Sequence, residues 1–223
     1  MNKEIIDKTI AALRHNHFEA FFAHNTAEAS AIFFRDIFPG LQVETVSWGD
    51  SETMKATGVL NELQKNPELS VIDSFAPGMS RKQKIYWRRQ ALLTDLFLTG
   101  SNALTQKGQL VNLDMIGNRV GGITFGPKHV VLFIGINKIT ANLEEAMHRV
   151  RTIAAPRNAI RHEGFRTPCH KTGVCMDCNS PDRICNVWTI TEKSYPAGRI
   201  KVIDRRGTGA LNETKSGIKR KRK

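Results

Sequence analysis

The run FEAFFAHNTAEASAIFFRDIFPGLQVETV, residues 18–46, sets the architecture of the chain. Residues 18–23 read as a short aromatic strand. Asn25-x-x-Glu28 has the form of a capping box and opens a helix through Ile37, which Pro39-Gly40 ends. Residues 41–46 are strand again. Strand, helix and strand joined by a few residues each make one unit of a parallel sheet with a helix laid across it.

The same alternation extends in both directions. Upstream, Ile5, Ile6, Ile10 and Leu13 recur at helical spacing, so residues 2–14 form an amphipathic helix. Downstream come a helix over 51–64, a strand over 69–72, a helix capped by Ser80-x-x-Gln83 and reaching Leu93, and a strand over 95–98. Residues 130–134 are a continuous apolar run suited to a central strand buried on both faces. Asn142-x-x-Glu145 caps a helix reaching Ala154-Ala155-Pro156. Two β-hairpins interrupt the rhythm. One turns around Gln106-Lys107-Gly108; the other joins 186–191 to 199–203 through Tyr195-Pro196-Ala197-Gly198. The expected fold is α/β, a three-layer arrangement of a mainly parallel sheet with flanking helices plus β-hairpin excursions. One domain spans 1–204, followed by a basic tail over 205–223.

With 40% hydrophobic residues in 223, the chain carries enough apolar mass for one sizeable core. No run of about 18 apolar residues occurs, and the first helix carries charges throughout, so a cytoplasmic protein with no membrane partner is expected. The formal net charge of +12 is concentrated in the segment 81–89 and in 215–223, KSGIKRKRK. Charge this local reads as a solvated helix face and a solvated tail, and nucleic acid is not the expected partner.

All four cysteines, Cys169, Cys175, Cys178 and Cys185, fall in TPCHKTGVCMDCNSPDRICN at residues 167–186. A Cys-x-x-Cys turn aims two sulfurs at one centre. The flanking cysteines can fold back to complete a four-sulfur shell, because Pro168, Gly173 and Pro181 punctuate the loop. Thiolates suit an iron–sulfur cluster and Zn2+ alike; a single short knuckle tilts the reading toward iron and sulfur. Free or paired thiols are the third reading, which fits the interleaved Asp177, Asn179, Asp182 and Arg183 poorly.

A second cluster follows the strand over 95–98. Asp114, Arg119 and Asn102 are candidate catalytic residues, and Thr99, Gly100, Ser101, Asn112 and Asn118 candidate substrate-binding ones, since open α/β sheets bind ligands at the carboxyl ends of their strands. Gly100 and Gly117 would let backbone amides approach an anion. Arg119 could clamp a carboxylate or phosphate, and Asp114 is the carboxylate within reach as base or ligand. The plainer alternative is that Asn, Asp and Gly only make turns here. GxGxxG and GxxxxGK[ST] are both absent, as is a histidine pair of the HExxH kind.

Thr-Gly-Ser-Asn-Ala at 99–103, Gly-Asn-Arg-Val at 117–120, Asn-Lys-Ile at 137–139, AAPRNA at 154–159 and the cysteine loop occur together and in order. Over residues 80–203 the chain closely resembles the LUD-domain family, the proteins related to lactate utilisation protein C. The resemblance implies a fold similar to that of ribose-phosphate isomerases, CoA transferases and formyltetrahydrofolate cyclo-ligases. It also implies a part in oxidising lactate or a similar small hydroxy acid to the keto acid, alongside oxidoreductase subunits of a lactate-oxidation system. The loop would then hold an iron–sulfur cluster (4Fe-4S) or a structural Zn2+, and Arg119 would face the substrate carboxylate. Fold does not fix chemistry, so two alternatives stand beside this one. One is a stand-alone transferase or isomerase with Asp114 as general base and a structural zinc; the other is a non-catalytic binding protein. The chain departs from the expected pattern after Val202, where IDRRG replaces the continuation of an apolar strand.

Overall fold

The computed structural model describes residues 2–162 and 164–205. Of the basic tail expected over 205–223, all but Arg205 lies outside the described residues.

Helix α1 (Lys3–His15) buries Ile6, Ile10 and Leu13 on one face, as their spacing requires. β1 (Glu19–Ala23) leads to α2 (Thr26–Ile32). There Asn25 Oδ1 accepts from the Glu28 amide at 2.9 Å, while Glu28 reaches back to the His24 amide at 2.7 Å, one residue earlier than a strict capping box. A π turn over Phe33–Ile37 extends this helix toward β2 (Thr45–Trp48). The helix expected over 51–64 is two, α3 (Glu52–Lys55) and α4 (Val59–Lys65). Gly58, at φ 74°, breaks it in the left-handed region that favours glycine.

β3 (Ser70–Val71), α5 (Arg81–Gln90), β4 (Leu96–Thr99), β5 (Ala103–Thr105) and β6 (Leu110–Asp114) follow. α6 (Asn118–Thr124) is a helix where only the excursion was expected. β7 (His129–Gly135), β8 (Ile139–Thr140) and α7 (Leu143–Arg149) come next. α7 continues through a π turn, Val150–Ala154, into α8 (Ala155–Arg161). Pro156 therefore does not stop the helix; it sits in the first turn of α8, where a proline's missing N–H is tolerated. α9 (Pro168–Thr172), β9 (Val187–Thr191) and β10 (Ile200–Arg205) complete the described chain.

The main sheet has the order β1-β10-β7-β4-β2-β3, parallel throughout. A smaller sheet, β8-β5-β6-β9, contains the expected hairpin as the antiparallel pair β5–β6. The second expected hairpin does not form. β9 pairs with β6 in the small sheet, whereas β10 lies between β1 and β7 in the large one. Burial explains the parting: every residue of β10 is buried, as an inner strand demands, and β9 is partly exposed along its length.

Strand alternation divides the apolar side chains between the two faces of the large sheet. On one face Val46, Leu98, Phe133 and Ile203 pack against Phe33, Leu60 and Leu63 from the α2 and α4 side. On the other, Val130, Leu132 and Val202 meet Ile6, Ile10 and Leu13 of α1 together with Leu104 and Leu110 of the small sheet. The far side of the small sheet, Ala103, Val111 and Leu113, is covered by Ala146 and Val150.

Candidate functional site

β2 and β4 are neighbours whose connections leave in opposite directions, β2 outward to β3 and β4 inward to β7. Their carboxyl ends form the topological switch point, where open parallel sheets bind ligands. The two strand ends close up tightly. A Cβ on Gly100 would lie 2.5 Å from Ser51 Oγ and 3.1 Å from the Phe133 carbonyl, and one on Gly49 would lie 2.8 Å from Arg119 Cγ.

The structure brings most of the second cluster together around Arg119. Its Nη1 donates to Gly100 O at 2.9 Å and Asn112 Oδ1 at 2.7 Å. Nη2 donates to Asn102 Oδ1 and Asp114 Oδ1, each at 2.7 Å, and Nε reaches Asp114 Oδ1 at 3.0 Å. Asp114 Oδ2 accepts from the Arg119 and Val120 amides, both at 3.0 Å. All five N–H groups of the guanidinium and both oxygens of the carboxylate are thus committed inside the protein. The anion approached by the first amides of α6 is the chain's own Asp114. Asn102 Oδ1 also accepts from the Leu113 amide at 2.9 Å, and Asn112 Oδ1 from the Asn102 amide at 3.0 Å, so β5, β6 and α6 are welded at one point. Ser101 donates to Ala103 O at 2.8 Å. Asn118 opens α6 outside this network, and among the described residues Thr99 Oγ1 and Asn112 Nδ2 are buried with no partner. What this arrangement does chemically is hold geometry. It offers no spare guanidinium donor to a substrate carboxylate.

Other charged groups at the strand ends escaped the sequence reading. Asp50, just past β2, pairs with Lys55 at 2.7 Å and Arg161 at 2.6 Å. Its carboxyl is held below the usual range by His162, Lys55 and Arg161 against the opposing effect of burial. At the end of β10, burial pushes the Asp204 carboxyl up to about 7. Lys138, half-buried past β7, is pulled down to about 7 by desolvation and by Arg149, Arg119, Arg205 and Arg161. Lys138 lay inside the Asn-Lys-Ile motif, and Asp204-Arg205 inside the run noted as a departure.

The four cysteines border one concavity, with Ala155, Pro156 and Ile184 as apolar wall. All four are free thiols, partly exposed. Arg183 ties the loop: it donates to the Cys178 carbonyl, to Cys185 O at 3.1 Å and to Asp177 at 2.9 Å. Asp177 also pairs with Arg151 at 2.7 Å, and the Asn186 amide anchors the loop's end to Asp114 O at 2.9 Å. Burial pushes the Cys185 thiol up, and the Arg183 charge opposes it. A second concavity runs from Asn102 and Leu113 past the π turn and shares Ala155 and Ile184 with the first. The Arg119 network and the cysteine loop are therefore two sides of one wall. Among the described residues, no three His, Cys, Asp or Glu side chains meet at a single ion position, and no helix is long and apolar enough to cross a membrane.

Fold and site define an open parallel α/β protein with an appended small sheet and a four-cysteine loop. The sequence matches the LUD domain over residues 6–203, and the chain belongs to that family, which is associated in general with lactate utilisation. A DUF162 family protein from Deinococcus radiodurans, solved as a crystal structure at 1.70 Å resolution, is similar in fold. Its TM-score is 0.50 at 13% identity, over 92% of this chain and 97% of that one. Among curated proteins, no sequence match was found.

Proposed function

We propose that this LUD-domain protein takes part in oxidising lactate or a similar small hydroxy acid to its keto acid, together with oxidoreductase subunits. In this reading Cys169, Cys175, Cys178 and Cys185 hold an iron–sulfur cluster or, in the alternative, Zn2+. The observation that supports it best is that cysteines spread over the loop all border one concavity. A soft four-thiolate donor set fits either group, and the loop has to draw its sulfurs inward to grip a single ion. The group would supply electron transfer if a cluster and loop rigidity if zinc.

The chain's own residues do the rest. Arg183, facing Cys178 and Cys185, offsets the charge of their thiolates, and Arg151 holds Asp177 in place beside them. Ala155, Pro156 and Ile184 give the inner side an apolar wall. The metal and acid-labile sulfide content of the full chain, compared with that of Cys178→Ser and Cys185→Ser, tests the reading. Metal bound by the unaltered chain and lost in both variants is the expected result; equal content in all three overturns it.

A further inference from the structure

The end of β10 carries charge that the Arg119 network does not use. Asp204 is wholly buried, and neither of its carboxylate oxygens has a hydrogen-bond partner among the described residues. Arg205 is 3% exposed, and among the described residues its Nε and Nη2 have no hydrogen-bond partner. Native interiors pair such groups almost without exception, because an unpaired buried charge is costly. The two side chains do not satisfy each other, because alternation sends Asp204 to the face of Val202 and Arg205 to that of Ile203; of Arg205, only the backbone amide lies near the Asp204 carboxyl.

Lys138 ends the turn that follows β7, the strand beside β10. It lies within electrostatic reach of both Asp204 and Arg205. The other cations that face it are already engaged. Arg149 donates to Asn137 O at 3.1 Å and Asn102 O at 2.6 Å, Arg161 pairs with Asp50 and Glu52, and Arg119 has no donor left. Among the described residues, the strand ends thus combine two cations without an ion-pair partner and a carboxylic acid whose pKa is raised by burial, beside three further guanidinium groups. What such a cluster lacks is an anion. The free donors of Arg205 are also the right pair, because Nε and Nη2 form one edge of the guanidinium, the edge that grips a carboxylate or phosphate in bidentate fashion.

We propose that the carboxyl ends of β7 and β10 form a binding site for a small oxyanion, a carboxylate or a phosphate, held by Arg205 and Lys138. The site does not depend on what the cysteine loop binds. Its use for the carboxylate of a hydroxy acid rests on the proposed function. An arriving anion draws a proton onto Lys138, so binding slightly above neutral pH is accompanied by proton uptake.

Calorimetric titration of the full chain with L-lactate, pyruvate and inorganic phosphate, each in two buffers of different ionisation enthalpy, tests this. At least one probe binds saturably with proton uptake, Arg205→Gln and Lys138→Gln each weaken it by about tenfold or more, and Arg89→Gln on exposed α5 leaves it unchanged. Binding of lactate or pyruvate supports the site and its hydroxy-acid use; phosphate alone supports the site and removes that use, whatever metal the loop carries. No saturable binding, or equal weakening by Arg89→Gln, overturns the proposal. Should either variant fail to fold, the Lys138 side-chain resonance of the unaltered chain decides: its titration midpoint rises with anion, and a midpoint that stays put overturns the site.

Discussion

Arg119 Nη2 lies 2.7 Å from Asp114 Oδ1, and Asp114 Oδ2 accepts from the amide of the same arginine at 3.0 Å. The carboxylate therefore grips Arg119 by its backbone and by its side chain at once. That double hold fixes the start of α6 against the end of β6 and aims the guanidinium back at Gly100, Asn102 and Asn112. The most recognisable segment of the sequence is a joint between the two sheets.

Arg119→Ala accordingly costs stability first. It leaves Asp114 nearly buried without its cation and strips a donor from Asn102, Asn112 and Gly100, a change of about 3 kcal/mol or more. Thermal denaturation followed by circular dichroism should show a midpoint lower by about 6–12 °C. A variant as stable as the parent would refute the joint.

Gly100→Ala tests the closure of the strand ends. The added Cβ meets Ser51 Oγ at 2.5 Å and the Phe133 carbonyl at 3.1 Å, and the carbonyl belongs to a central strand that cannot give way. A loss of about 1–3 kcal/mol in urea unfolding is expected, with an unchanged denaturant slope.

Asp204 gives stability a pH dependence of known sign. Between its ordinary value of 3.8 and about 7, the folded chain keeps a proton that the unfolded chain has released. Its contribution to stability therefore falls as pH rises through that window. Lys138 acts the other way: between about 7 and 10.5 the unfolded chain binds the extra proton, so its contribution recovers as pH rises. Asp204 is faced by Lys138 and the Arg205 amide, and Lys138 by Arg149, Arg119, Arg205 and Arg161. Asp204→Asn should flatten the slope below neutrality and raise stability at neutral pH, measured by chemical denaturation across the window.

Arg183→Ala should loosen the cysteine loop without unfolding the sheets. Its guanidinium holds the carbonyls of Cys178 and Cys185 and pairs with Asp177. Amide hydrogen exchange over residues 174–186 of the metal-free chain, read by mass spectrometry, is expected to run several-fold faster in the variant. Equal rates would show that the loop is shaped by something else.

The large sheet could be read in the sequence because its strands are short apolar runs between capped helices: Asn25, Ser80 and Asn142 each cap the helix their spacing announced. What could not be read was long-range. Nothing local says that β10 passes over its neighbour in sequence to lie between β1 and β7, and with that placement unknown, Asp204 and Arg205 look like the polar end of a hairpin. α6 was hidden by Gly121 and Gly122; Gly122 is there because a Cβ would lie 2.8 Å from the Phe97 ring. In the site, the residues around Arg119 were legible as a group but their mutual saturation was not, since a list of donors and acceptors does not reveal which ones face each other. The cysteine loop could be picked out from its spacing, but among the described residues its sulfurs do not meet at one ion position; what the structure adds is the shared wall of Ala155 and Ile184 that joins the loop to Asn102.

The proposed metal group of the cysteine loop, in the service of hydroxy-acid oxidation, rests on four cysteines that border one concavity. Purification of the full chain without oxygen, with a visible spectrum and with iron, zinc and acid-labile sulfide measured on the same sample, addresses it most directly. Broad absorption near about 400 nm with matching iron and sulfide is the result the account expects. Colourless protein with one zinc per chain would keep the metal and contradict the redox role, and protein with neither metal nor sulfide would contradict the claim outright.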